Sequence, residues 1–318
     1  MRNIKDSASH PLWGITCLYN PCGYVSRYRN YDLFRSSTKS QGLPLVAVEL
    51  AFGRKPFVLK KDSAEILVQL RTGEKNILWQ KERLLNLALE KLPASCKKVA
   101  WLDCDIVFED GEWVHKASQL LDQHKVVQLY SLVVNMAEGQ NIIDVDVSGL
   151  SFGKAAGQKR YGYVYTHLKG MEQLGHAGFA WAARRGVLDK VKFYDRNIIG
   201  SGDTLFRDAC YGMETIALSR YFSSKALGSQ VQWKRKVNET VDNDVSFLPG
   251  TIFHSWHGDL ALRKYETRNA PLKYFDYDPA LDVKAERSKA LQWSSDKEAL
   301  HKAVRDYFYM RDEDGGGF

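Results

Sequence analysis

Short, wholly apolar runs alternate along the chain with longer segments of mixed polarity. Leu12–Tyr19 (LWGITCLY) reads as a buried strand, stopped by Asn20-Pro21-Cys22-Gly23. Residues 24–40 are polar and aromatic and predict a helix that Gln41-Gly42 breaks. Residues 43–50 form a second buried run carrying Glu49 near its end, and residues 57–59 suggest a short third strand. Asn76 can cap a helix over residues 77–91, with apolar positions at 77, 78, 84, 85, 87 and 88, and Pro93 ends it. Residues 99–102 then form an apolar run with no polar face, as a central strand buried on both sides requires, and it stops abruptly at Asp103-Cys104-Asp105. Strand and helix in alternation predict a parallel sheet with helices on both faces.

Beyond this point the periodicity loosens. A helix is expected over 112–123, strands over 126–134 and 178–183, and helices over 187–191, 204–211 and 214–225. Residues 140–160, rich in Gly, Ser and Lys, read as a loop able to move over a site. A late strand over 251–254 runs into His254-Ser255-Trp256-His257-Gly258, and an amphipathic helix over 297–309 precedes the acidic Arg311-Asp312-Glu313-Asp314. With no internal repeat and no convincing linker, the expectation is one α/β domain over 1–270, with residues 271–318 packed on it as a mainly helical extension.

Composition narrows the function classes. At 318 residues, 44% hydrophobic and 26% charged, the chain fits a soluble globular protein. It has no apolar run near the ~20 residues of a membrane span and no signal-peptide core at its start. Five cysteines, an odd number without a C-x-x-C pair, argue for a reducing, cytoplasmic setting and against a disulfide frame or zinc site. The net charge of +7 suits phosphate-bearing ligands or peripheral contact with an anionic membrane surface. No basic run is long enough for a nucleic-acid arm.

The chemistry concentrates in four places. Asp103 and Asp105 sit where open α/β sheets hold ligands, and two such carboxylates repel unless a cation, Mn2+ or Mg2+, neutralises them; the bland alternative is an acidic turn. Tyr19, Asn20 and Glu49 lie at strand ends where they could meet a nucleoside. Asp203 follows Gly200 and Gly202 at a helix start, where it could be a base or only a cap, and the glycines would let the backbone approach a ligand closely. His254 and His257 follow, then Arg263. Residues three apart on a strand face opposite ways, so only one histidine, His254 by preference, would reach a cation.

In this order the features resemble the GT-A glycosyltransferases, over roughly residues 12–268, and more closely members with a G-H-x-G-F-A-W segment, here Gly175-His176-Ala177-Gly178-Phe179-Ala180-Trp181, and an H-x-W-H-G segment. The resemblance implies a Rossmann-like mixed sheet flanked by helices. It implies an enzyme moving a sugar from a nucleoside-diphosphate-sugar, UDP-linked by default and GDP-linked as the alternative, to a glycan or glycolipid. It assigns Asp105 to the metal, Asp103 to metal or donor ribose, and His254 or His257 to the remaining coordination. Arg263, with Lys264, would hold phosphates, and Arg83 of the R-x-x-N helix would face the nucleotide. Asp203 takes the place of the acid-base residue, although the family often has Glu-Asp where this chain has Gly-Asp; a base at Glu313 or Asp314 is the fallback. Asp103-Cys104-Asp105-Ile106-Val107 also fits the D-x-D-x-[TV] motif of haloacid-dehalogenase-like phosphatases, with Gly202-Asp203 and Asp208 as a late acidic motif. A non-catalytic nucleotide- or sugar-binding module is the third reading.

Overall fold

A computed structural model describes residues 12–139, 142–147, 165–168, 171–174, 176–213, 221–265 and 267–316. The elements run β1 (Leu12–Tyr19), α1 (Val25–Ser40), β2 (Leu45–Phe52), β3 (Ile66–Thr72), α2 (Lys81–Leu89), β4 (Lys98–Leu102), β5 (Ile106–Phe108), α3 (Trp113–Gln123), β6 (Val126–Gln128) and β7 (Leu132–Met136). They continue with β8 (Ile142–Val147), the hairpin β9 (Tyr165–Leu168) and β10 (Met171–Leu174), β11 (Ala180–Arg184), α4 (Arg185–Val191), α5 (Gly202–Cys210), α6 (Ser224–Val241), β12 (Val245–Phe247) and β13 (Thr251–His254). The last stretch holds α7 (Ala270–Tyr274), the short pair β14 (Val283–Lys284) and β15 (Gln292–Trp293), and α8 (Glu298–Met310).

The expected α/β architecture is present, with a seven-stranded sheet in the order β12-β6-β11-β4-β1-β2-β3. It is mixed: β4, β1, β2 and β3 run parallel, and β11 enters antiparallel between β4 and β6. The two-residue period of β4 divides the core. Val99 and Trp101 face the layer of α2, α5, α6 and α8, whereas Ala100 and Leu102 face α1 and α3. Trp101 stacks on Trp181 with ring centroids 6.2 Å apart and meets Phe193 and Phe206 edge-on, so Trp181 is core. On the other face, Trp113 is fully buried, stacks 3.9 Å from Phe108, and donates its indole N–H to Gln41 Oε1 at 2.8 Å. The extension joins the first of these cores: Leu300, Val304, Tyr307 and Phe308 recur at helical spacing on α8 and pack with the strands of the main sheet.

Several boundaries move for identifiable reasons. Residues 57–59 form no strand; they are a loop whose Val58 and Leu59 N–H groups donate to the Glu49 carboxylate, and the half-buried β3 takes the sheet edge instead. Asn76 caps nothing on α2, which starts at Lys81. Its side chain bonds Thr72 Oγ1 and the Trp293 N–H, and Gln80 pairs both ways with the Leu291 backbone. The run 126–134 serves two sheets: β6 belongs to the main one and β7 to a second, β5-β13-β7-β8. Of the expected helix 214–225, residues 214–220 lie outside the described residues. The long α6 begins at Ser224, capped by Ser223 Oγ accepting the Ala226 N–H at 3.0 Å. Most of the segment 140–160 also lies outside them. Among the described residues no helix is long and apolar enough to cross a membrane.

Trp113→Ala should cost about 3–5 kcal/mol, because it removes the largest side chain of the α3 face together with its indole hydrogen bond. Urea unfolding would check this.

Candidate active site

Strand pairing assembles the site. β5 follows Asp105 immediately and pairs antiparallel with β13 in the register Ile106↔His254. The Ser255 N–H donates to Asp105 O at 2.8 Å, and Asp103 N donates to Phe179 O at 2.8 Å. The D-x-D, the H-S-W-H-G turn and the G-F-A-W segment are thus tied by backbone before any side chain is considered. They wall a cavity of about 370 Å³ at the carboxyl end of β4.

On one wall, Asp105, His254 and His257 converge, with all three ligand atoms within 4.8 Å of one another. Asp105 Oδ2 is 3.1 Å from His257 Nε2, and Oδ1 is 3.9 Å from His254 Nε2. The two Nε2 atoms are 3.0 Å apart, the separation of ligands about 90° apart around a centre roughly 2.1 Å from each. Both histidines, not His254 alone, belong to the cluster, because β13 ends at His254 and strand alternation does not extend to His257. His254 Nδ1 donates to Asn135 Oδ1 at 2.8 Å, which leaves Nε2 with its lone pair. Burial holds the His254 pKa well below its ordinary value, so the ring is neutral, as a ligand must be. Burial would raise Asp105, but His257 and Arg27 hold it well below the carboxylate range. Its Oδ1 is buried without a hydrogen-bond partner. One carboxylate and two imidazoles with an unsatisfied oxygen fit a divalent cation, and the imidazoles make Mn2+ a better fit than Mg2+. The ring of Phe179, a non-glycine residue at φ 74°, packs 4.7 Å from that of His254.

Lys81, which has no motif signal in the sequence, also lines the cavity. Its Nζ lies 2.6 Å from Asp103 Oδ1 and 3.0 and 2.9 Å from the two oxygens of Asp203. Burial opposes its charge, yet Asp103 and Asp203 outweigh burial and keep its pKa well above the lysine value. One ammonium shared by two carboxylates leaves a net negative group. Burial therefore pushes Asp103 up to about 6 against the pull of Lys81. Asp103 accordingly stands apart from the Asp105–histidine cluster. Asp203 is in the first turn of α5, but its carboxylate is held by Lys81.

The remaining expected residues divide. Tyr19 and Arg263 line the cavity, and Arg263 Nη2 lies 2.7 Å from His257 Nδ1. Asn20 does not reach it: its Oδ1 accepts from Gly23 and Tyr24 N–H and its Nδ2 donates to Tyr24 O, which shapes the turn after β1. Glu49 is consumed by the 57–59 loop and by Gln69 Nε2 at 2.9 Å. Arg83 points away and binds Asp195 and the carbonyls of Lys289 and Glu286, so it clamps the extension. Arg27, Arg268 and Arg311 add positive charge to the cavity, with Arg268 and Arg311 at 6.0 and 5.6 Å from the Trp79 ring. Gly202 serves packing rather than a ligand. A Cβ there would fall 1.9 Å from Glu82 Oε1, and one at Gly200 would press the Arg268 guanidinium at 3.2 Å.

No protein-family model matches the chain, and no curated protein matches it. Among solved structures it is similar to Staphylococcus aureus TarS 1–349 in complex with UDP-GlcNAc, at TM-score 0.41 and 11% identity, over 94% of this chain and 72% of that one. It is similar to Drosophila beta-1,4-galactosyltransferase 7 in complex with manganese, UDP-Gal and xylobiose, at TM-score 0.34 and 10% identity, over 64% and 63%. It is also similar to 4-diphosphocytidyl-2C-methyl-D-erythritol synthase from Anaerococcus prevotii, at TM-score 0.34 and 10% identity, over 76% and 88%. The case for the site rests on its own residues.

Two outcomes are expected. His254→Ala and His257→Ala should each weaken Mn2+ binding by at least about 10-fold, measured by calorimetric titration, since both nitrogens face one point. Burial raises the Glu82 carboxyl to about 8. A group raised on folding stabilises fully below its unfolded pKa and loses that contribution as pH rises through the folded value. Urea midpoints of the metal-free protein should therefore fall between about pH 4.5 and 8, and Glu82→Gln should flatten that part of the profile.

Proposed function

We propose that the protein is a metal-dependent glycosyltransferase that moves a sugar from a nucleoside-diphosphate-sugar, UDP-linked by preference, to a glycan or glycolipid hydroxyl. The observation that carries this reading is the presence, in one cavity, of a cation-ready cluster (Asp105, His254, His257) and a carboxylate held on a lysine (Asp203 on Lys81). Bound between protein and donor, a Mn2+ ion would supply Lewis-acid neutralisation of the leaving diphosphate. Arg27, Arg263, Arg268 and Arg311 surround the same space and suit phosphate oxygens. Tyr19 and Trp79 offer apolar ring surface to the base.

Asp203 is the residue to take the acceptor's proton. An alcohol is a poor nucleophile until a base accepts its proton, and a positioned carboxylate contributes about 10²–10⁴-fold. Lys81 grips both Asp203 oxygens and so fixes the carboxylate's plane, and Asp103 shares that ammonium so that Asp203 is only partly neutralised. The phosphatase reading requires Asp105 to carry a proton as general acid. Asp105 instead faces His257 Nε2 at 3.1 Å and Arg27 Nη1 at 3.7 Å, partners that suit an ionised carboxylate rather than a proton donor.

A thermal-shift panel of UDP- and GDP-sugars, with Mn2+ and with chelator, tests the proposal. The melting temperature should rise with the right donor only when Mn2+ is present, and no shift with any donor would count against it. Once donor and acceptor are known, Asp203→Asn should keep donor and Mn2+ affinity within a few-fold and slow transfer by at least about 100-fold. Near-normal turnover would return Asp203 to a structural role.

A further inference from the structure

The acidic segment near residue 313 lies beside the site, with Arg311 lining its cavity. Asp314 Oδ2 and Oδ1 accept the Val25 and Ser26 N–H groups at 2.7 and 2.8 Å, at the start of α1, where Tyr24 offers no side-chain cap. Ser26 Oγ donates to Glu313 O at 2.8 Å, and Tyr24 OH donates to Tyr309 O at 2.9 Å. On its other side the segment lies against the H-S-W-H-G turn. Gly258 has φ 84°, and a Cβ there would sit 2.6 Å from Asp312 O and 2.9 Å from Glu313 Cα. Residues 311–316 thus form a strap wedged between α1 and the loop that carries His257.

From this strap the Glu313 side chain, 4% exposed, reaches three groups of the cation site. Its Oε1 is 2.5 Å from Arg311 Nη2 and 3.6 Å from His257 Nδ1, and its Oε2 is 3.4 Å from Arg27 Nε. We propose that Glu313 is a positioning residue of the cation site, acting through Arg27; the proposal rests on reading Asp105, His254 and His257 as the cation's ligands. Arg27 lies between Glu313 and Asp105, with Nη1 3.7 Å from Asp105 Oδ2, and a carboxylate on each side keeps the guanidinium from closing onto Asp105 as a bidentate pair. Asp105 Oδ1 is left for the cation. With Glu313 neutralised, Arg27, Arg263 and Arg311 would face an incoming dication with less opposing charge.

The test is Mn2+ affinity of the full chain, by calorimetry and by the electron paramagnetic resonance of bound Mn2+, with Mn2+ alone as the probe. Glu313→Gln should weaken Mn2+ binding by at least about 10-fold. Arg311→Gln breaks the same ion pair but keeps the Glu313 charge, so its affinity should match or exceed that of the parent. If Glu313→Gln alone fails to fold, Arg311→Gln combined with Glu313→Gln neutralises the pair and should show the same loss. Unchanged affinity in the Glu313 variants, or equal weakening by Arg311→Gln, would overturn the proposal and leave the cation site standing. A parent chain that binds no Mn2+ would overturn both.

Discussion

Burying several carboxylates around one cavity is the constraint to which the rest of this structure answers. Asp103, Asp105, Asp203 and Glu313 lie within the same small region, and each would be costly there without a counter-charge. The sheet supplies two of the carboxylates at the end of β4. The cations come from elsewhere: Lys81 from the start of α2, Arg27 from the first turn of α1, Arg263 from the turn after β13, and Arg311 from beyond α8. The compensation is incomplete in two places. Lys81 serves two acids, and Asp105 keeps an oxygen without a partner. Incomplete compensation would favour a cation there over a closed ion-pair network.

The strands that the sequence made legible are those buried on both faces. β1, β2 and β4 have no polar side and so read as continuous apolar runs, and the carboxylates terminating the last of them marked the cavity before any geometry was known. Less was visible where one segment serves two structures. The apolar run from Val126 onward is interrupted at Tyr130, whose hydroxyl bonds the carbonyls of His176 and Gly178, and the chain passes there from one sheet to the other. α6 buries only Ala226, Gln230, Val237 and Val241 among its 18 residues, too few apolar positions to announce a helix of that length.

At the site, the histidines and the central acids were legible as residue types. Their partners were not, because partnership is set by which face of an element turns inward. The R-x-x-N spacing of α2 points to Arg83 as its residue facing the site, but the helix turns another side chain inward. Lys81 stands two positions earlier, about 200° around the helix, and points into the cavity while Arg83 clamps the extension. Asn20 and Glu49 show the converse. Polar groups at strand ends suggest a ligand, but here nearby backbone N–H groups claim both. Glu313 had no periodic or motif signal, since its contacts reach back to residues near the other end of the chain.

That separation has a consequence for how the protein is made. The bond from Ser26 Oγ to Glu313 O spans 287 residues. A growing chain exposes Asp105 long before His254 and His257, and both histidines before Glu313. The first helix emerges with the N–H groups that Asp314 will accept still facing water. The cation site thus cannot be completed until Glu313 has emerged, and its closure waits on contacts of very long sequence separation, the kind that a chain forms slowest. A ribosome-bound intermediate with its sheet already paired would hold the acids and the imidazoles but not the carboxylate that steadies them.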